Sequence, residues 1–225
     1  EINMLDMEKA QRMSLTMQVE VRLKNALIMG SLKPGARLVT KEIADQLGTS
    51  ITPVREALLR LVSSGALGAT PAQAFLVPEL TLERFQEITA IRKTLESQAV
   101  EVAAQRCTPE QLADLHNRFE QFRSAKISGS VEEALQANRA FRFELYACAG
   151  MPTLLSLIEQ LWIRIGPSFN YLYPQSNEMI HGHHNYEDLL AALERKDIPA
   201  CIKSIHKSID DGAVILIRQH FSADE

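Results

Sequence analysis

Apolar residues recur at helical spacing through most of this chain. Val19, Leu23, Ala26 and Leu27 line one side of residues 13–29, as an amphipathic helix requires. Gly30-Ser31-Leu32-Lys33-Pro34-Gly35 ends that pattern with two glycines and a proline. Arg37-Leu38-Val39 reads as a short extended piece. Thr40 caps a second helix through Leu47, with Ala44 small enough for a close helix crossing. Val54, Leu58, Leu59, Leu61 and Val62 give the stripe of a third, from about Thr52 to Ser63. Ala66-Leu67 and Phe75-Leu76-Val77 then read as two short strands around a Thr70-Pro71 turn. Three helices and a two-stranded ribbon make a winged helix-turn-helix.

Beyond Pro78-Glu79-Leu80 the pattern is helical to the end. Thr81 caps a helix to about Arg106. Thr108-Pro109-Glu110-Gln111 is a capping box with proline in the first turn, opening a helix to about Ser124. Residues 126–130 read as a loop. Further helices are predicted over Val131–Ala149, Thr153–Ile165, Ser176–Arg195 and Pro199–His220, with Tyr171–Pro174 a loop. The fold expected is mainly α. An N-terminal winged helix-turn-helix, residues 1–78, precedes an antiparallel bundle of six to seven helices, residues 79–225.

The sharpest local signal is Leu47-Gly48-Thr49-Ser50-Ile51-Thr52-Pro53-Val54-Arg55-Glu56. Glycine suits the sharp exit from one helix, Ser50 or Thr52 can cap the next, and Pro53 fits its first turn. Arg55 stands opposite the apolar stripe near the helix N-terminus, where such helices meet DNA.

Charge supports that division. Residues 1–78 hold nine lysines and arginines against seven acids, a net +2, whereas residues 79–225 carry a net −6. A mildly basic head on an acidic body fits a DNA-reading element attached to a sensor. No apolar run reaches membrane-spanning length, about 18 residues, and no signal peptide is visible. Cys107, Cys148 and Cys201 are odd in number and widely spaced. A reducing cytoplasm is the expected location. The sequence carries no G-x-S-x-G, P-loop or H-E-x-x-H pattern, so no catalytic residue is nominated.

The chain resembles the FadR subfamily of GntR transcriptional regulators, whose C-terminal part is an FCD ligand-binding domain. The N-terminal likeness rests on Leu32-Lys33-Pro34-Gly35-Ala36-Arg37-Leu38, Lys41-Glu42-Ile43-Ala44, Leu47-Gly48-Thr49-Ser50 and Thr52-Pro53-Val54-Arg55-Glu56-Ala57-Leu58. The C-terminal likeness rests on Ile91–Glu96, on Asn138–Arg142 through Ala149–Pro152, and on Leu190–Asp197. The resemblance implies a homodimer on a palindromic operator. By position, Lys41, Ser50, Thr52, Pro53 and Arg55 would contact DNA and Arg37 would lie near its backbone. Two departures stand out. Ile51 replaces the arginine usual after the serine, and Ala72-Gln73-Ala74 replaces the basic, glycine-bearing wing tip. Both imply weaker or differently specified DNA binding.

Many FCD domains hold a divalent metal through an Asp-x-x-x-His pair and two further histidines. Those positions here read Asn138, Arg142, Tyr186 and Ser208, a set unsuited to a transition metal. The resemblance then implies a metal-free cavity, no cofactor, and a small acidic effector. Arg142 and Arg92 would pair with the effector, while Asn138, Tyr186 and Ser208 supply neutral hydrogen bonds. The alternative has Arg142 paired internally with an acid such as Glu96. His181, His183 and His184 form a cluster that also admits a metal-dependent enzyme. Adjacent histidines diverge on a helix, however, and a surface patch is the simpler reading. A third possibility is a sensor bundle with weakened DNA binding. The function expected is an effector-responsive repressor.

Overall fold

The computed structural model describes residues 4–72, 74–173 and 175–221, with side-chain burial assigned from residue 15 onward. Gln73, the centre of the expected wing tip, lies outside the described residues.

Helix α1 (Met4–Ile28) is longer than residues 13–29 require. Strand β1 (Arg37–Leu38), α2 (Thr40–Leu47), α3 (Ile51–Ser63), β2 (Gly68–Ala69) and β3 (Phe75–Leu76) follow. The strands form a sheet in the order β1-β3-β2, with both pairings antiparallel. Arg37 faces Leu76, and Ala69 faces Phe75. The ribbon thus has a third strand, and its first arm lies at Gly68–Ala69 instead of Ala66-Leu67. Ala66 and Leu67 are instead buried just before it.

The cap positions also differ from expectation. Val39 precedes α2 and Ser50 precedes α3, neither with a side-chain cap bond. Gly48 turns the chain between them at φ 65°, which its missing Cβ permits. Val54, Ala57, Leu58 and Leu61 are fully buried beneath α3, but Leu59 of the expected stripe is half exposed at 50%.

The remainder is a helical bundle: α4 (Leu82–Arg106), α5 (Pro109–Ser128), α6 (Val131–Ala147), α7 (Pro152–Ile165), α8 (Asn177–His181), α9 (Asn185–Arg195) and α10 (Ile198–Leu216). Thr81, Thr108 and Ser130 cap α4, α5 and α6 through their side chains, and Thr108 completes the capping box with Gln111. Helix α5 continues four residues beyond Ser124, ending only where Gly129 adopts φ 78°. Lys126 is therefore helical and buried. The expected helix over Ser176–Arg195 is broken at Gly182, where a Cβ would sit 2.3 Å from the Glu178 carbonyl. A tight 3-10 turn, Gly166–Leu172, follows α7 and takes in Tyr171 and Leu172 of the expected loop, and a π turn, Ile217–Phe221, ends the described chain.

Helix α1 packs on both α3 and α7, so one buried apolar cluster runs from the winged part into the bundle. The contact is close at Gly166, where a Cβ would lie 2.2 Å from the Leu27 carbonyl oxygen. Asn170 donates from Nδ2 to the Gly30 carbonyl at 2.6 Å. Arg139 bonds Asn25, and Arg164 bonds the Ser64 carbonyl.

Candidate functional sites: the α3 surface and a charged bundle cavity

Burial of one side of α3 leaves Ile51, Thr52, Arg55 and Glu56 on the other, exposed. Glu56 accepts a hydrogen bond from Thr16, fixing α3 against α1. Arg60 and Lys24 both pair with Glu20. Arg37, Lys41 and Arg55 are exposed and make no ion pair among the described residues. Ser50 is exposed with its hydroxyl uncommitted. Five of the six expected DNA residues therefore present an accessible side chain. Pro53 does not, because it is buried in the first turn of α3. It shapes the helix start and cannot reach a base edge from there.

The second site lies inside the bundle. Successive turns of α4 place Arg92 and Glu96 on one face, and successive turns of α6 do the same for Asn138, Arg142 and Tyr146. Helix α7 contributes Trp162, α9 Tyr186 and α10 Ser208. Glu96 is fully buried at 0% exposure. Its Oε2 accepts from Arg92 Nε at 2.8 Å. Its Oε1 accepts from Arg142 Nη2 at 2.7 Å, Tyr146 at 2.5 Å and Trp162 Nε1 at 3.3 Å. Burial alone pushes this carboxyl upward. Arg92 and Arg142, with the Tyr146 hydroxyl, outweigh it and hold the group below the usual carboxylate range.

Arg142 is nearly saturated. Besides Glu96 it donates to Tyr146 from Nε at 2.8 Å, and from Nη1 to Ser208 at 3.2 Å and Tyr186 at 3.5 Å. Tyr186 donates in turn to Asn138 Oδ1 and stacks on Phe141 at 4.1 Å. The internal Arg142–Glu96 pair, one of the two alternatives in the sequence, is thus present. Arg92 differs. Among the described residues it makes one hydrogen bond, to Glu96, and its guanidinium lies 5.1 Å from the Trp162 ring and 5.4 Å from that of Phe169.

These groups surround a cavity of about 220 Å³. All five expected effector residues, Arg92, Asn138, Arg142, Tyr186 and Ser208, line it. So does Lys126, which lies in α5 and not in the loop expected over residues 126–130. Lys126 is 5% exposed, and its ammonium donates to the Met179 carbonyl at 2.8 Å and lies 5.0 Å from the Phe122 ring. Burial and then Arg123 lower its pKa, against a smaller opposing effect of Glu187. Thr89 also lines the cavity, its buried hydroxyl without a partner. Three buried cations line this cavity, whereas the one buried carboxylate among the described residues is Glu96, held by Arg92 and Arg142; the exposed Asp211 also lines it. Glu96 was legible as a possible partner through the Arg92-x-x-x-Glu96 spacing. Tyr146 and Trp162 are buried core aromatics that both also hydrogen-bond Glu96.

The residues at the family's metal positions do not fit a divalent cation. A buried guanidinium occupies the centre of the set, and Asn138 Oδ1 is taken by the Tyr186 hydroxyl. Among the described residues no group of three or more histidines, cysteines or acids is placed to hold a metal. The histidines diverge: His183 pairs with Glu187 and Asp188 on the surface. His184 turns inward and caps α9 by accepting from the Tyr186 N–H.

The chain matches the model of bacterial regulatory proteins of the gntR family over residues 15–77, and that of the FCD domain over residues 87–211. It is 47% identical over 214 residues to the HTH-type transcriptional regulator McbR of Escherichia coli (strain K12), covering 94% of this chain and 97% of that one. It is 31% identical over 175 residues to the Nta operon transcriptional regulator of Aminobacter aminovorans, covering 77% and 82%. The solved structure of E. coli McbR/YncC superposes with a TM-score of 0.84 at 47% identity, over 92% of this chain and 98% of that one. A GntR regulator from Rhodococcus sp. RHA1 shares the fold, with a TM-score of 0.75 at 18% identity over 92% and 99%. The relatives are transcriptional regulators, not enzymes. Among the described residues no helix is long and apolar enough to cross a membrane.

Proposed function

The chain belongs to the GntR family of DNA-binding transcription regulators and carries an FCD domain, and from that premise we propose that its bundle binds a small organic acid, without a metal, that sets its affinity for operator DNA. Residues 1–78 form the DNA-reading part and residues 79–225 the effector-binding and dimerising part. The protein acts as a homodimeric cytoplasmic repressor on a palindromic operator. Arg55 reads a guanine edge, while Lys41, Ser50 and Thr52 hold phosphates and Arg37 approaches the backbone.

The observation that carries the effector reading is the charge around the cavity. Arg92, Lys126 and Arg142 are all buried, and among the described residues the one buried carboxylate is Glu96, which pairs with the two arginines and not with Lys126. An uncompensated buried cation is costly, and an anion that enters relieves that cost. The groups divide the work. Arg142 is fixed by Glu96, Tyr146 and Ser208 and presents a rigid positive field with Asn138 and Tyr186. Arg92 supplies the terminal N–H groups that remain without a protein partner, and Thr89 a free hydroxyl. A carboxylate seated there gains charge-assisted bonds of about 1.5–3 kcal/mol each.

Titration calorimetry with acetate, lactate, succinate and gluconate tests this. At least one acid is expected to bind saturably, and Arg92→Ala to weaken it about tenfold or more. Equal binding to both proteins, or no binding by any organic acid, would overturn the reading.

A further inference from the structure

A second, larger void of about 720 Å³ adjoins the inner cavity. The two share Lys126, Leu135, Tyr173 and Gln175, which therefore stand at their common boundary. The outer chamber is walled on the bundle side by apolar groups, among them Ala125, Val131 and Ile180. On its other side lie Met29, Gly30, Ser31 and Lys33, the chain that leads from α1 into the winged sheet. At the boundary Gln175 has a buried side-chain oxygen with no hydrogen-bond partner.

These features ask for three things in one molecule: an anion for the inner cavity, a hydrogen-bond donor at the boundary, and an apolar tail beyond it. We propose that the outer chamber is a second compartment of the effector site. Its ligand is an amphipathic acid with an amide N–H or hydroxyl between carboxylate and tail. The proposal rests on the acid-binding reading above and adds a route to DNA. The tail touches residues 29–33 directly, so a long ligand acts on the segment that positions the winged helix. A short acid fills only the inner cavity and lacks that contact.

The order of groups follows from the chambers. The inner cavity is small and charged, the outer one large and mostly apolar, and Gln175 lies between them. Lys126 at the boundary reinforces the anionic end and disfavours a cationic one. Each buried methylene contributes about 0.8 kcal/mol, which is about fourfold in affinity.

The probes are N-acetylglycine, N-hexanoylglycine and N-decanoylglycine, titrated calorimetrically into the full-length protein. Affinity is expected to rise at least tenfold along the series. Val131→Trp, at an exposed position outside the inner cavity, is expected to abolish that rise and leave N-acetylglycine binding within about twofold. Ile180→Trp, on α8 of the same bundle-side wall, should do the same, and guards against a folding defect in either variant. Fluorescence anisotropy on the gene's upstream DNA should show operator affinity shifting with the long acid and little with the short one. Binding that is independent of tail length, or a tail effect that survives both tryptophans, would overturn the two-compartment site and leave acid binding standing. Absence of binding by every acid, short ones included, would overturn both.

Discussion

Glu96 is where three demands meet. It neutralises part of the charge of Arg92 and Arg142, it accepts from Tyr146 and Trp162, and it is wholly excluded from water. Replacing it with glutamine keeps the shape and leaves two buried guanidiniums without their anion. Breaking a buried pair this way costs about 3–5 kcal/mol. Glu96→Gln is therefore expected to lose about that much in urea denaturation, and a loss under about 1 kcal/mol would show that the guanidiniums find other compensation. His184 gives a second test at this scale. Burial, then Lys126 and Arg142, push its pKa down to about 3, whereas an unfolded imidazole titrates near 6.5. The unfolded chain takes up its proton first. The contribution of the neutral ring to stability is thus complete above about pH 6.5 and is lost as pH falls toward about 3, by up to about 1.4 kcal/mol per unit. His184→Asn retains an acceptor for the Tyr186 N–H and should flatten that part of the profile. Superimposable stability curves for the two proteins would refute it. The arginines and Glu96 could be picked out from helical spacing because i and i+4 share a face. Lys126 could not, because Gly129-Ser130 marks a loop, while tertiary burial carries α5 two residues past Lys126 to Ser128.

Helix α3 shows how local signals specify an element and leave its strength of grip open. Gly48, Ser50 and Pro53 set its start, and the apolar face at Val54, Ala57, Leu58 and Leu61 fixes its seat. What reaches DNA depends on the opposite face, where Ile51 is 40% exposed at the first helical position. An apolar side chain there adds neither charge nor a hydrogen bond to a phosphate. Ile51→Arg is expected to tighten binding to upstream DNA and to steepen the dependence of log affinity on log salt by about 0.9, one extra phosphate contact. Its fold stability should stay within about 0.5 kcal/mol, as for other surface changes. Unchanged affinity at fixed salt would refute the expectation. Elsewhere the helix starts capped by the side chains of Thr81, Thr108 and Ser130 were legible. The break between α8 and α9 was not. Residues 176–195 keep a helical pattern, but Gly182 must pass the Glu178 carbonyl too closely for a Cβ, and His184 then caps a new helix. The turn at Gly166–Leu172 was hidden for a similar reason. Pro167 ends an α-helix in sequence, yet fits the first turn of a tighter one.

At the scale of the whole molecule, the question is how the state of the bundle reaches the winged part. The joint is short and specific: Gly166 against Leu27 and Ile28, Asn170 on Gly30, Arg139 on Asn25 and Arg164 on Ser64. Because α1 packs on both α3 and α7 and shares one apolar cluster with both, the two parts are expected to unfold together. Gly166→Ala attacks the joint alone. The new methyl carbon would stand 2.2 Å from the Leu27 carbonyl oxygen and 2.7 Å from that of Ile28, distances at which backbone must move. The tight turn then leaves α1, and the bonds from Asn170 and Arg139 go with it. Scanning calorimetry should show one transition for the parent chain and two for Gly166→Ala, the first belonging to the winged part. A single transition in the variant, at whatever temperature, would mean that the apolar cluster couples the parts without this contact. The same variant separates fold from signal. Linkage requires an effector and DNA to change each other's affinity by one factor, commonly 5–150-fold, and that factor should fall toward one when the joint opens, while acid still binds among Arg92, Arg142 and Glu96.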